Sequence, residues 1–343
     1  MTQSGLAREA ARTACAPPEP STAVSAVVTM GETMGLLTVP AGRRLRSELS
    51  SPIGFGGAES NVAIGLARLD VPVTWLSRVG DDAFGSLITR EIRGEGVQVL
   101  AAVDTQARTG LMVKEQLHGT PWRIRYYRDG SAASRLSPAD LEVAQVHHAI
   151  THARVLHLTG ISAALSASAL DAVRAAIQLA RAAGVLVSFD VNYRAAQWPT
   201  KRAAPVLAEL CSTANIVFAG TQEAALVLQT TETAESALAV GLAELGADTV
   251  VIKLGARGAL ALTNNQAVAA APDPIEVVDP VGAGDAFVAG YLSGLVRGAS
   301  PTECLRRGNQ LGAAVCLVPG DWEGLPTQEE LDHLNSVQED VLR

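Results

Sequence analysis

From about residue 155 onward the chain repeats one unit, a short apolar run followed by a helical stretch, and that rhythm limits the fold more than any other feature. Residues 155–158, 185–190, 214–219 and 249–254 read as buried strands. Between the first two, Leu170, Val173, Ile177 and Ala180 fall on one face at helical spacing, and Gly184 closes that helix. Further helical segments are expected at about 222–228 and 235–245. Strands alternating with helices assemble as βαβ units around a mostly parallel sheet, because each helix must bury its apolar stripe on a sheet face. The expected class is α/β, a three-layer core with a mostly parallel sheet.

The first half of the chain is less regular. The apolar run at 23–30 ends at Gly31-Glu32 and reads as a first core strand. The stretch 36–53 is broken by Pro40, Gly42 and Pro52, and 111–128 alternates apolar with polar residues. These pieces are expected to pair as a small β-sheet lid, with strands from about 36–53 and 99–128. Late in the chain, 284–296 and 301–317 read as two long helices, the second with Pro301 in its first turn. Residues 1–22, with Pro17-Pro18 and no apolar h-region, read as a disordered tail rather than a signal peptide, and 23–343 as one domain. A chain of 343 residues is long enough for one large α/β unit.

Composition removes several function classes. Hydrophobic residues make up 48% and charged residues 18%, which suits a compact chain. A net charge of −8 without a basic run argues against a nucleic-acid partner. No stretch approaches the roughly 18 apolar residues of a membrane span. Cys15, Cys211, Cys304 and Cys316 are isolated, with no CxxC pair and no histidine at metal-ligand spacing, which fits thiols in a reducing cytoplasm.

The chemistry is most legible at 279–290, Asp-Pro-Val-Gly-Ala-Gly-Asp-Ala-Phe-Val-Ala-Gly, a glycine-rich turn that runs into an apolar helical pattern. Amides of Gly282, Ala283, Gly284 and Asp285 at a helix start would present N–H groups and the positive helix end to an anion such as phosphate. A carboxylate beside that site can take the proton of a hydroxyl attacking a γ-phosphoryl group. From this segment alone, Asp285 reads equally well as a helix cap. No Gly-Lys-Ser/Thr follows the glycines, so this is not a P-loop, nor is it a Gly-x-Gly-x-x-Gly turn on an N-terminal strand.

The turn resembles the C-terminal signature of the PfkB, or ribokinase-like, carbohydrate kinases. Gly56-Gly57-Ala58-Glu59-Ser60-Asn61-Val62-Ala63 is similar to that family's sugar-binding signature, and Val79-Gly80-Asp81-Asp82-Ala83-Phe84-Gly85 to its next block. The resemblance spans roughly 23–327. It implies an anion hole at Gly282, Ala283 and Gly284, a catalytic base at Asp285, and sugar contacts from Gly57 and Asn61.

Within the family, Arg125-Tyr126-Tyr127-Arg128, Phe189-Asp190-Val191-Asn192-Tyr193-Arg194 and Gly320-Asp321-Trp322-Glu323-Gly324-Leu325-Pro326 resemble 2-keto-3-deoxygluconate kinases. That resemblance implies sugar-acid contacts from Tyr126, Arg128, Arg194 and Asp321, and arginine suits a carboxylate because it donates two parallel hydrogen bonds. For ATP it implies Asn192, Lys253, Gly255, Ala256 and Gly258, with Asn309 beside the adenine or ribose. Mg2+ is expected to be held largely through water. The family's Asn-x-x-Glu is Gly220-Thr221-Gln222-Glu223 here, so Glu223 is present and the asparagine is not. Asp279 is the expected contact for a monovalent cation such as K+. The expected reaction is ATP-dependent phosphorylation of a sugar-acid hydroxyl by a cytoplasmic homo-oligomer joined through its lid. The rivals are a kinase for ribose or fructose and a non-catalytic sugar-binding protein.

Overall fold

The computed structural model describes residues 25–333 apart from 41, 42, 44, 46–49, 118 and 119; the expected tail at 1–22 and Cys15 lie outside these residues. The chain opens with β1 (Val27–Met30), β2 (Met34–Val39) and β3 (Ile53–Gly56), then passes through the helix Ala58–Arg68 into β4 (Val73–Gly80). The helix Ala83–Gly94 leads to β5 (Gln98–Asp104), and β6 (Leu111–Leu117) and β7 (Thr120–Tyr127) pair as a hairpin. The regular half supplies β8 (Val155–Thr159), β9 (Leu186–Asp190), β10 (Ile216–Gly220) and β11 (Thr249–Lys253), and β12 (Ala259–Thr263) and β13 (Gln266–Ala270) follow. The helices Ala283–Val296 and Pro301–Val315 pack against each other near the end.

Among the described residues, the main sheet runs in the order β13-β12-β11-β10-β9-β8-β1-β4-β5. It is parallel from β5 to β11 and antiparallel over the last two pairs. The parallel strands are covered on both faces, which is why Val-Leu-His-Leu-Thr of β8 is buried at every position. One face packs on Trp75, Phe218, Phe287 and Tyr291, the other on Leu156, Phe189 and Leu207, giving the expected three layers. Burying each large apolar side chain contributes about 1.5–3 kcal/mol. The helix Ala283–Val296 is buried from Ala286 to Gly294, with Tyr291 edge-on to Phe218 at 5.2 Å. Its N-terminus is thereby held against the sheet.

The small sheet has the order β3-β2-β6-β7 and its own core of Met34, Leu36 and Met112. One boundary differs from expectation. Residues 98–104 do not belong to the lid but form β5, parallel to β4 at the edge of the main sheet. Val99 turns into the core there, and the alternation of Gln-Val-Leu-Ala-Ala-Val-Asp serves a half-covered edge strand as well as a lid strand.

Strand order reverses at β1, between β8 and β4, and ligands of open parallel sheets bind at the carboxyl edge beside such a reversal. The chain enters the lid directly from the carboxyl end of β1, so the small sheet is rooted at that same edge.

Candidate active site

The glycine-rich turn forms the start of the helix Ala283–Val296. Gly282 caps it with φ +81°, and a Cβ at this position would overlap the carbonyl oxygen of Asp321, so both conformation and space require glycine. Ala283 N–H turns back to the carbonyl of Pro280 at 3.3 Å. The next amides, of Gly284 and Asp285, belong to the first turn and have no intrahelical partner.

Asp285 sits between two asparagine amides. Asn61 Nδ2 donates to its Oδ2 at 2.8 Å, and Asn192 Nδ2 lies 3.4 Å from its Oδ1. Burial pushes the Asp285 carboxyl up to about 7; the Asn61 hydrogen bond opposes this, Asp190 adds to it, and Arg194 and Lys253 oppose it. A carboxyl poised near neutrality in the first turn of a helix is suited to take up a proton.

The carboxyl ends of β9 to β11 supply the surroundings. Lys253, last residue of β11, pairs with Asp190, last residue of β9, at 2.6 Å. Burial draws the Lys253 ammonium group down, but Asp190 and Glu223 more than offset this and hold its pKa above the usual lysine value. Its Nζ lies 3.5 Å from where a Cβ on Gly284 would stand, so a positive charge faces the turn. Asn192 has φ +36°, and its N–H donates to Asp190 Oδ1 at 3.2 Å. Glu223 accepts from the amides of Gly220 at 2.7 Å and Tyr193 at 2.9 Å, so its carboxylate secures backbone at this edge.

Beyond Lys253, Gly255 has φ +60° with open space around it and Ala256 is exposed. Gly258 is held by packing, since a Cβ there would overlap the carbonyl oxygen of Ala270. Asn309 is buried and donates to that same carbonyl at 2.8 Å, bracing β13. Val277, Val278, Leu317 and Val318 are exposed, and Val278 N–H donates to Cys316, which brings two apolar strips side by side.

On the lid side, Gly57 lies flat against the Glu32 carbonyl, where a Cβ would overlap. Arg128 Nε donates to the buried carboxylate of Glu32 at 2.6 Å, Nη2 touches the same oxygen, and Ser131 Oγ also donates to Glu32. The Arg128 guanidinium lies 5.7 Å from the ring centre of Tyr126, which is partly exposed. Arg194 is exposed, its Nη1 lying 3.4 Å from the Tyr193 carbonyl, and its charge is felt at Asp285. Asp321 and Asp279 share one buried lysine, Lys114 of β6, at 3.4 and 2.6 Å.

The residues drawn together around the turn are therefore Asn61, Asn192, Lys253, Gly282, Gly284 and Asp285. Asn309 and Gly258 are structural neighbours of β13. Sequence reading missed Glu32, Lys114 and Asp190. Asp190 stands inside a motif already singled out, so its place at a strand end was a usable signal. Lys114 had none, being a single lysine in an alternating strand. No group of three or more His, Cys, Asp or Glu that could hold a metal exists among the described residues.

A family model described as pfkB family carbohydrate kinase matches residues 27–328. The 2-dehydro-3-deoxygluconokinase of Bacillus subtilis (strain 168) is 36% identical over 318 residues, covering 92% of this chain and 96% of that protein. The 2-dehydro-3-deoxygalactonokinase of Haloferax volcanii is 31% identical, covering 86% and 92%. A crystal structure of a PfkB protein from Polaromonas sp. JS666 superposes with a TM-score of 0.80 at 35% identity, covering 90% and 99%. With a glycine-capped helix start, a half-buried carboxyl in its first turn and a family match across nearly all described residues, this chain belongs to the pfkB family of carbohydrate kinases.

Proposed function

We propose that the protein transfers the γ-phosphoryl group of ATP to a hydroxyl of a sugar acid, 2-dehydro-3-deoxygluconate (2-keto-3-deoxygluconate), giving the 6-phosphate. The observation that carries this reading is Asp285, a half-buried carboxyl with a pKa pushed up to about 7, held by Asn61 and Asn192 at a helix N-terminus that Lys253 faces. Such a carboxylate takes the proton of the substrate hydroxyl as the hydroxyl oxygen forms its bond to the γ-phosphorus and the bond from that phosphorus to the β-phosphate oxygen breaks, releasing ADP. The free amides of Gly284 and Asp285, set by the Gly282–Gly284 turn, and the Lys253 ammonium group then meet the charge on the phosphoryl oxygens. Arg194 can swing over the same oxygens from its exposed position. Gly255, Ala256 and the apolar strips at 277–278 and 317–318 suit the nucleoside end of ATP.

Glu223, whose carboxylate accepts from Gly220 and Tyr193 N–H, would be the protein neighbour of Mg2+ through water, and the ion would supply positive charge to the ATP phosphates. A potassium ion at Asp279 would have to displace the Lys114 ammonium group from that carboxylate. The sugar side is assigned to Gly57, Asn61, Tyr126, Arg128 and Asp321. The exposed Ile53 and Tyr127 on the lid strands support a homo-oligomer through the lid. No helix among the described residues is long and apolar enough to cross a membrane, and a cytoplasmic location is part of this reading.

One observation favours a second reading, a kinase for a neutral sugar such as ribose or fructose: Arg128 already has a carboxylate partner in Glu32. A guanidinium has five N–H donors, so a substrate carboxylate can still share it. A coupled ADP-release screen with 2-dehydro-3-deoxygluconate, its galactonate epimer, ribose and fructose separates the readings. Turnover of the sugar acids well above that of the neutral sugars is expected; turnover of ribose or fructose alone overturns the sugar-acid assignment.

A further inference from the structure

Lys114 is a fully buried cation that the phosphoryl-transfer scheme does not use. It stands on lid strand β6, 2% exposed, with Nζ 2.6 Å from Asp279 Oδ2 and 3.4 Å from Asp321 Oδ1. Both carboxylates belong to backbone that shapes the anion-binding turn. Asp279 Oδ1 accepts from Val281 N–H at 3.1 Å, one residue before Gly282, and its Oδ2 lies 3.3 Å from Gly320 N–H. Asp321 places its carbonyl oxygen where a Cβ on Gly282 would be. The lid touches the same loop a second time, since a Cβ on Gly56 of β3 would meet the Asp321 carboxylate. Burial pushes the Asp321 carboxyl up to about 6, and the Lys114 charge works against that rise.

We propose that Lys114 is a positioning residue: its ammonium group is the internal cation that holds the anion-binding turn and the 320–323 loop in register and ties both to the lid. Two buried carboxylates of one sign repel, and with no cation between them the loop and the turn separate. The amides at Gly282–Asp285 then lose their aim, and a displacement of about 1 Å in such a site costs on the order of 10²-fold in rate. The lid and the phosphate-binding turn share this one side chain, so movement of the lid is transmitted to the turn. The role rests on the kinase reading above, since it acts through the transferred phosphoryl group.

The test compares wild type with Lys114→Ala in salts of different cation size, following kcat on the sugar that the screen identifies. Lys114→Ala is expected to lose about 10²-fold in kcat in tetramethylammonium chloride, with a smaller change in the KM for the sugar. It should regain tenfold or more in ammonium or potassium chloride, whose cations fit between the two carboxylates. Wild type should be indifferent to the exchange. A variant within twofold of wild type, one equally inactive in every salt, or a wild type that itself needs the small cation would each overturn the proposal. Calorimetric binding of a non-hydrolysable ATP analogue in the same salts needs no acceptor sugar, so it reads Lys114 separately from the substrate assignment. If Lys114→Ala does not fold, the wild-type salt comparison still decides, together with Lys114→Met.

Discussion

Removing the Asn61 amide is the perturbation whose consequence follows most directly from the geometry. Asn61 Nδ2 donates to Asp285 Oδ2 at 2.8 Å, and this hydrogen bond favours the ionised carboxylate. A hydrogen bond to a charged group is worth about 1.5–3 kcal/mol. At about 1.4 kcal/mol per pKa unit, Asn61→Ala should raise the Asp285 carboxyl by about one to two units. Starting from about 7, the variant's base titrates at roughly 8–9. At pH 7 its ionised fraction falls from about one half to between about one in ten and one in a hundred, so kcat/KM drops roughly 5- to 50-fold. The assay is ADP release across pH 5.5–10, an order-of-magnitude bracket of these midpoints, fitted for the acidic limb of kcat/KM. The loss should shrink as the pH rises, leaving at the alkaline end only the pH-independent part that comes from the lost sugar contact of Asn61. Equal loss at every pH, with the midpoint still near that of wild type, would refute the reasoning and leave Asn61 as a sugar contact only.

Gly282→Ala forces a side chain onto a residue with φ +81° and into the carbonyl of Asp321; a stability loss of about 1–3 kcal/mol, measured by urea unfolding, with activity nearly abolished, is expected. Arg128→Ala leaves the buried Glu32 carboxylate without its cation, so stability should fall by about 3–5 kcal/mol while the KM for the sugar acid rises. Arg128→Ala with Glu32→Gln should recover much of that stability, checked by thermal melting, without restoring sugar-acid affinity.

The parallel core was legible because buried parallel strands are short apolar runs separated by helical periodicity, as at 155–158 and 249–254, and little else fits that pattern. The Gly282–Asp285 turn was legible for a related reason: φ > 0 at a helix start leaves few choices but glycine. β5 was misassigned to the lid because an edge strand with one face half covered alternates like a lid strand. The ion pairs were the least visible part. Lys114 meets Asp279 and Asp321 across 165 and 207 residues of chain, and Arg128 meets Glu32 across 96. Charges that far apart are joined only by the lid folding over the sheet edge, which local pattern does not encode. Arg128 illustrates the consequence, since it read as a free guanidinium for the substrate and is bonded to a carboxylate of the chain itself.

The claim on which the account depends is that Asp285 takes the proton of the substrate hydroxyl, and Asp285→Asn measures it with almost no change in shape. The variant keeps a group of the same size within reach of Asn61 and Asn192 but cannot accept that proton. Steady-state ADP release with 2-dehydro-3-deoxygluconate should show a fall in kcat of roughly 10²–10⁴-fold with the KM values for sugar and ATP and the melting temperature nearly unchanged. A kcat within tenfold of wild type on the same substrate would contradict the account.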